Sequence, residues 1–303
     1  MSRFAALVAV SALTLLAVAG QASSGGDRDV GDPRTPAGLR SGHEPLAAGA
    51  DPAARSTPRV RVVNHNTDGF SSRPARWAAA DWGGVAAITY QELCRGQVRA
   101  LRKAGFRVVW TLAHATAPRC VEGNAIVTRH RFARTEVHRL FGLDGRIFSL
   151  VCADLRGAAV PALTVCTTHF PLDYNGSAPP SGRQNRVRAA DEVRDILAAK
   201  IDAGRRVVLA GDLNDTPKSA PLDRFYRARG NGRFWEGDQR CGARRACRAM
   251  PVTTGDRRRV DYFFASTPGV DRLGGVSKRL MPRYDRSSHW VMRGSVRFAQ
   301  LPG

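Results

Sequence analysis

The chain is 303 residues long, carries 47 Lys+Arg against 26 Asp+Glu for a formal charge of +21, and is 43% hydrophobic. That apolar share can build a core, so the composition excludes a wholly disordered chain, and the excess of basic side chains points to an anionic partner. Beyond the opening residues no stretch approaches the ~20 apolar residues of a spanning helix, which excludes a membrane-spanning bundle.

Residues 1–19 hold one charged side chain, Arg3, then a run of Ala, Leu and Val that closes with Ala17-Val18-Ala19. This is the pattern of a secretory signal peptide and predicts a secreted protein. Its removal takes away only Arg3 and leaves +20. Only four of the 47 basic residues are lysine (103, 200, 218 and 278). A GC-rich coding sequence explains the choice of Arg over Lys, but it explains less well the presence of only 26 acids, so nucleic acid stands as the expected partner. Residues 20–57 are rich in Gly, Ala, Pro, Ser and Asp without apolar periodicity and read as a disordered leader. The remainder, 58–298, suits one large α/β domain, with no repeat and no protein partner indicated, hence a monomer.

Six cysteines in an exported chain, with no C-x-x-C pair, read as disulfides rather than metal ligands. Composition leaves 15 pairings open; proximity favours Cys94 with Cys120, Cys152 with Cys166, and Cys241 with Cys247.

Residues 59–66 (RVRVVNHN) alternate as a strand and end in Asn66-Thr67-Asp68-Gly69, where glycine allows a sharp exit. A short helix is expected at 74–82, with proline in its first turn. Residues 85–93 (VAAITYQEL) read as a buried strand closed by Glu92, a carboxylate that either pairs with arginine or serves a hard cation. A helix at 95–104, a strand at 106–112 and a strand at 122–129 follow; Asn124 in the last is expected to cap a turn. Runs at 146–155 and 161–169 form a hairpin ending in His169, either a core imidazole or a group that stabilises charge. Residues 182–203 place Val187, Ala190, Val193, Ile196, Leu197 and Ile201 at helical spacing, with a solvated basic face.

Residues 205–217 (RRVVLAGDLNDTP) form a buried strand cut off by Gly211 and Pro217. Asp212 and Asn214 lie two apart, on one face of an extended backbone, an acceptor beside a neutral amide that together suit a water oriented next to an anionic substrate. Turn chemistry is the alternative for both. A helix at 220–228, a loop-rich stretch at 231–254 and strands at 260–266 and 291–298 complete the chain. His289, just before the last strand, is a candidate base, with Asp261 the carboxylate that would orient it.

Taken in order, these segments resemble the endonuclease/exonuclease/phosphatase superfamily over about 58–298. The carriers are Asn66-Thr67-Asp68-Gly69, Gln91-Glu92, Gly123-Asn124-Ala125, Thr168-His169, Gly211-Asp212-Leu213-Asn214 and Asp261-Tyr262. The family closes with Ser-Asp-His where this chain has Ser287-Ser288-His289. The resemblance implies a four-layer αββα sandwich of two mixed β-sheets flanked by helices. It implies Mg2+ or Mn2+ held by Glu92 with Asp68, and catalysis by Asn66, His169, Asp212, Asn214, Asp261 and His289. A secreted nuclease is the expectation; a sphingomyelinase-like phospholipase and an inactive nucleic-acid-binding protein are the alternatives.

Overall fold

The computed structural model describes residues 59–69, 84–114, 120–141, 147–172, 182–226, 232–237, 252–267, 270–278 and 286–298. The signal peptide, the leader, the helix expected at 74–82 and the Cys241–Cys247 pairing lie outside these residues. Among them no helix is long and apolar enough to cross a membrane.

The strands are β1 (Arg59–Asn66), β2 (Ala87–Cys94), β3 (Arg107–His114), β4 (Glu122–Thr128), β5 (Arg131–Phe141), β6 (Ile147–Arg156), β7 (Leu163–Thr168), β8 (Arg206–Asp212), β9 (Phe234–Glu236), β10 (Asp261–Ser266), β11 (Val270–Lys278) and β12 (Val291–Phe298). The helices are α1 (Arg95–Lys103), α2 (Gly182–Asp202) and α3 (Ala220–Asp223). Two six-stranded sheets result, ordered β11-β12-β1-β2-β4-β3 and β5-β6-β7-β8-β10-β9. Each sheet has one parallel pair at its centre, β1 with β2 and β7 with β8, and antiparallel pairs elsewhere. A parallel pair cannot be closed by a hairpin, and α2 supplies the crossover between β7 and β8.

Strand alternation sorts the apolar residues into three cores. Val208 and Ala210 of β8 face the other sheet, where they join Val62, Ala87, Ile126, Val151 and Phe263. Val207 and Leu209 face outward and pack on Ala190, Val193 and Leu197 of α2. On the far side Val98 and Leu101 of α1 cover Ile88, Tyr90 and Val127. Helix, sheet, sheet, helix is the αββα sandwich that the resemblance implies.

Several elements differ from the reading of the sequence. The helix expected at 220–228 stops at Asp223, because Phe225 and Tyr226 leave it to pack with Phe234 and Phe264, and Tyr226 bridges to Phe234. The stretch at 231–254 contains strand β9, and the edge strands β5 and β11 were not expected. The basic face of α2 is not wholly solvated: Arg186 is buried and donates to Asp215 at 2.9 Å and to the Pro171 carbonyl at 3.0 Å. It thereby ties together two loops that leave the central strands of the second sheet.

Cys94 pairs with Cys120, and Cys152 pairs with Cys166. The second bond joins residues directly opposite on β6 and β7, 14 apart in sequence. Restricting the unfolded chain through a loop of that size contributes about 3 kcal/mol. Replacing both cysteines by alanine should lower the urea-derived stability by about that amount; an unchanged midpoint would show that the bond does not restrain the unfolded chain.

Candidate active site

The carriers of the expected chemistry meet at one edge of the sandwich, where β1, β2, β7 and β8 stop. Inward-facing apolar residues give way there to polar ones on the same face. Asn66 and Asp212 continue the inward series of β1 and β8, and Asn66 Nδ2 donates to Asp212 Oδ2 across the gap at 2.9 Å. Just beneath, Gln91 Nε2 bridges Asn64 Oδ1 at 2.9 Å and Thr167 Oγ1 at 2.8 Å. Asn124, expected to cap a turn, lies within β4 and donates across the gap to the Ser149 carbonyl at 3.1 Å. The inter-sheet core is therefore polar at this end and apolar at the other.

Backbone geometry aims the remaining groups. Asp68, Glu92 and Asn214 have φ of 48°, 53° and 48°, in the left-handed region that non-glycine residues seldom occupy and that gathers at functional sites. Glu92 sits in a bulge of the β2–β4 pairing between Tyr90 and Leu93. Strand alternation would point it away from Gln91, to the outer face. The bulge instead turns its carboxylate into the gap, where Oε1 accepts from Asn66 Nδ2 at 3.2 Å.

The expected shared face of Asp212 and Asn214 on an extended strand is replaced by a turn. The Asn214 amide N–H folds back on Asp212 Oδ1 at 2.9 Å, and its side chain reaches His169 Nε2 at 2.9 Å and the Phe170 carbonyl at 2.8 Å. β1 ends in the same device, with the Asp68 N–H on Asn66 Oδ1 at 3.0 Å. Gly211 lets β8 come close to β7: a Cβ there would lie 2.3 Å from the Thr168 carbonyl oxygen.

His289 Nδ1 is 2.9 Å from Asp261 Oδ2, the partner expected of it. Its Nε2 faces Asp68 Oδ1 and Asp212 Oδ2, each at 3.7 Å. Burial alone would push the imidazole down, but the carboxylates of Asp261, Asp212 and Asp68 outweigh it and hold the pKa up to about 10. Burial pushes the Asp261 carboxyl up, against the pull of His289; in this pair the shared proton resides on the imidazole. His169 Nε2 lies 3.6 Å from Asp212 Oδ2 and 3.8 Å from Glu92 Oε1. Asp212 thus stands between two imidazoles.

Two residues support this corner, of which Thr253 carried no sequence signal of its own. Thr253 Oγ1 accepts from the Asp261 N–H at 3.1 Å, and its carbonyl accepts from the Trp290 N–H at 2.6 Å, so a single residue positions both members of the Asp261–His289 pair. Ser287 Oγ donates to the Asn66 carbonyl at 2.6 Å and accepts from the His289 N–H at 3.0 Å. The Asp68 carboxylate accepts from the Ser288 N–H at 2.5 Å, so an acid stands beside the position where Ser288 departs from the expected Ser-Asp-His.

Four carboxylates, Asp68, Glu92, Asp212 and Asp261, share this edge with oxygen-bearing amides, a donor chemistry that fits a hard divalent cation. Asp261 Oδ1 is buried without a hydrogen-bond partner among the described residues. Asp212, Asp261 and His289 each bring a donor atom within 4.8 Å of the others, a set that could hold a metal ion. Glu92 and Asp68, the ligands expected from the resemblance, flank Asn66 on its two sides: Glu92 accepts from its Nδ2, and the Asp68 N–H donates to its Oδ1.

The sequence model of the endonuclease/exonuclease/phosphatase family matches residues 46–287. No curated protein matches the chain by sequence. Among solved structures, the catalytic domain of human Nocturnin with bound sulfate anion is similar at a TM-score of 0.62 and 14% identity, over 80% of this chain and 96% of that one. An endonuclease/exonuclease/phosphatase from Bacteroides vulgatus gives 0.60 at 14% identity, over 80% and 99%. TDP2 from Caenorhabditis elegans gives 0.57 at 15% identity, over 79% and 74%. At these identities the likenesses establish the shared fold.

Proposed function

The chain belongs to the endonuclease/exonuclease/phosphatase family, hydrolases of phosphodiester bonds, and from that premise we propose a secreted, divalent-metal-dependent phosphodiesterase that cleaves DNA or RNA. The observation that carries the reading is the meeting of Asn66, Glu92, His169, Asp212 and Asn214 with the Asp261–His289 pair in one gap between the sheets. The net charge supplies the choice of a polyanionic substrate.

His289 Nδ1 is committed to Asp261, which argues against a metal on that imidazole and leaves Glu92, with Asp68 nearby, to hold Mg2+ or Mn2+. When bound, such a cation neutralises a phosphate oxygen and the leaving group. Asn66, Asn214 and His169 hydrogen-bond the phosphate. Asp212, between the two imidazoles, accepts the proton of the attacking water. His289, held protonated and oriented by Asp261, donates from Nε2 to the phosphate as charge builds on it. No covalent intermediate is required.

The testing experiment assays plasmid DNA, RNA and sphingomyelin vesicles in parallel, with and without EDTA. Chelation should abolish turnover, and Mg2+ or Mn2+ should restore it better than Zn2+, because the ligands are carboxylates without thiolates. Full activity in EDTA would remove the metal from the account, and cleavage of sphingomyelin alone would replace the substrate.

Ser288 gives a second measurement. Restoring the family's acid by Ser288→Asp should lower the Mg2+ concentration for half-maximal activity roughly tenfold, and Asp68→Asn should raise it by a similar factor. Asp285, the other acid near the motif, lies outside the described residues. An unchanged activation curve for Ser288→Asp, combined with a dead Asp285→Asn variant, would hand the ligand role to Asp285.

A further inference from the structure

The second sheet extends past the first beside the candidate site. Leu140 of β5 packs into the core under α2, so its neighbours Arg139 and Phe141 point the other way, toward the gap between the sheets. Val137 shares that inward face, because it pairs with Val151, a residue of the inter-sheet core. Yet Val137 is 46% exposed and Phe141 49%, and Arg139 is exposed as well. The first sheet ends at β3 and leaves the inward face of β5 open from Val137 to Phe141, whereas Phe132 at the other end of the strand packs against the inter-sheet core.

This open face is in line with the site. Arg139 pairs with Ser149 on β6; Leu150, the next residue, pairs with Thr168, which sets Ser149 level with His169. His169 bridges to Asp212, and Asp212 pairs with Asp261. One row of inward-facing residues thus crosses the sheet: Arg139, Ser149, His169, Asp212 and Asp261. Arg139 is two strand spacings from His169, roughly 10 Å.

Among the arginines of β5, Arg134 is paired with Glu136 and Arg131 lies at the opposite end of the strand, facing Arg156. The Arg139 guanidinium makes no ion pair or side-chain hydrogen bond among the described residues. Leu172, three residues past His169 and so at the same end of the second sheet, is a further exposed apolar group. A free guanidinium beside an exposed aromatic ring is the combination that receives a nucleic-acid strand, the cation on a phosphate and the ring under a base. A base can stack on such a ring only when it is unpaired.

We infer that the inward face of β5 is a substrate subsite in which Arg139 binds the phosphate next to the scissile one and Phe141 stacks on the base of that nucleotide. The preferred substrate is then a single-stranded or locally unpaired nucleic acid. This inference rests on the nuclease reading and adds its substrate class.

The test compares wild type, Arg139→Glu, Arg139→Lys and Phe141→Ala on four substrates. These are a single-stranded twelve-nucleotide oligomer, the same oligomer annealed to its complement, a dinucleoside monophosphate that has no second phosphate, and sphingomyelin vesicles. Arg139→Glu should raise KM for the oligomer about tenfold while kcat changes less than about twofold, and should flatten the log–log salt dependence by about one unit. KM for the dinucleoside monophosphate should stay at its wild-type value. Arg139→Lys should keep the salt slope, and Phe141→Ala should erase the preference for single strand over duplex. Equal losses on the oligomer and the dinucleoside monophosphate, no change on the oligomer, or a loss confined to vesicles would each overturn the subsite while leaving wild-type cleavage intact. A wild-type enzyme that cleaves none of the nucleotide substrates would overturn the nuclease reading itself, and the subsite with it.

Discussion

Asp212→Asn is expected to cut turnover by about 10³-fold or more while the melting temperature stays within a few degrees of wild type. Both oxygens of Asp212 are engaged, one by the Asn214 N–H and one by Asn66 Nδ2, and the latter also faces both imidazoles. An amide of the same shape keeps the first contact. It cannot take a proton, and it turns a donor toward the Asn66 amide. The lost hydrogen bond destabilises by about 1 kcal/mol, but removing one of four clustered acids relieves repulsion, since Asp212 helps to push the Asp261 carboxyl up. The two effects nearly cancel. Wild-type turnover in Asp212→Asn would take the proton-accepting role from this residue.

His289→Ala should be as damaging to activity, by about 10³- to 10⁴-fold, and unlike Asp212→Asn it should also destabilise. Asp261 is fully buried, and its Oδ2 lies 2.9 Å from the imidazole Nδ1. Without His289 a buried carboxylate is left uncompensated, a loss of about 3–5 kcal/mol, which lowers the melting temperature of a domain this size by roughly 10 °C. Adding Asp261→Asn to His289→Ala should restore part of that stability and none of the activity, because a neutral amide tolerates burial but cannot replace the imidazole. If the double variant were less stable than His289→Ala alone, the charge-pair account of this corner would be wrong.

The contrast between the two variants follows from where each acid sits, which a sequence conveys only in part. Strands β2, β8 and β10 were legible because they are buried on both faces and write themselves as apolar runs, and β1 because exposed arginines alternate with buried valines at its start. β5 was not, since ten of its eleven residues fall short of full burial and an edge strand half open to solvent loses its alternation. The helix after β8 read too long because its periodicity continued into Phe225 and Tyr226, whose rings belong to an aromatic core that only the fold assembles.

At the site the identities were readable and the conformations were not. Asp68, Glu92 and Asn214 were singled out by type and by their places at strand ends. Their left-handed backbones and the bulge under Glu92 are consequences of packing that no local pattern announces. Thr253 escaped notice for the opposite reason: a threonine in a loop is common, and only its two contacts, to Asp261 and to Trp290, give it a role.

The polar links from Gln91 to Thr167, Asn124 to Ser149 and Asn66 to Asp212 act as dowels between two boards. Apolar contact has no direction, so greasy faces alone would let one sheet glide over the other. A hydrogen bond to a defined acceptor permits a single offset. The reacting groups are divided between the boards, Asn66, Asp68, Glu92 and His289 with one and His169, Asp212, Asn214 and Asp261 with the other. At the pinned end the two half-sites are therefore held in a single registration.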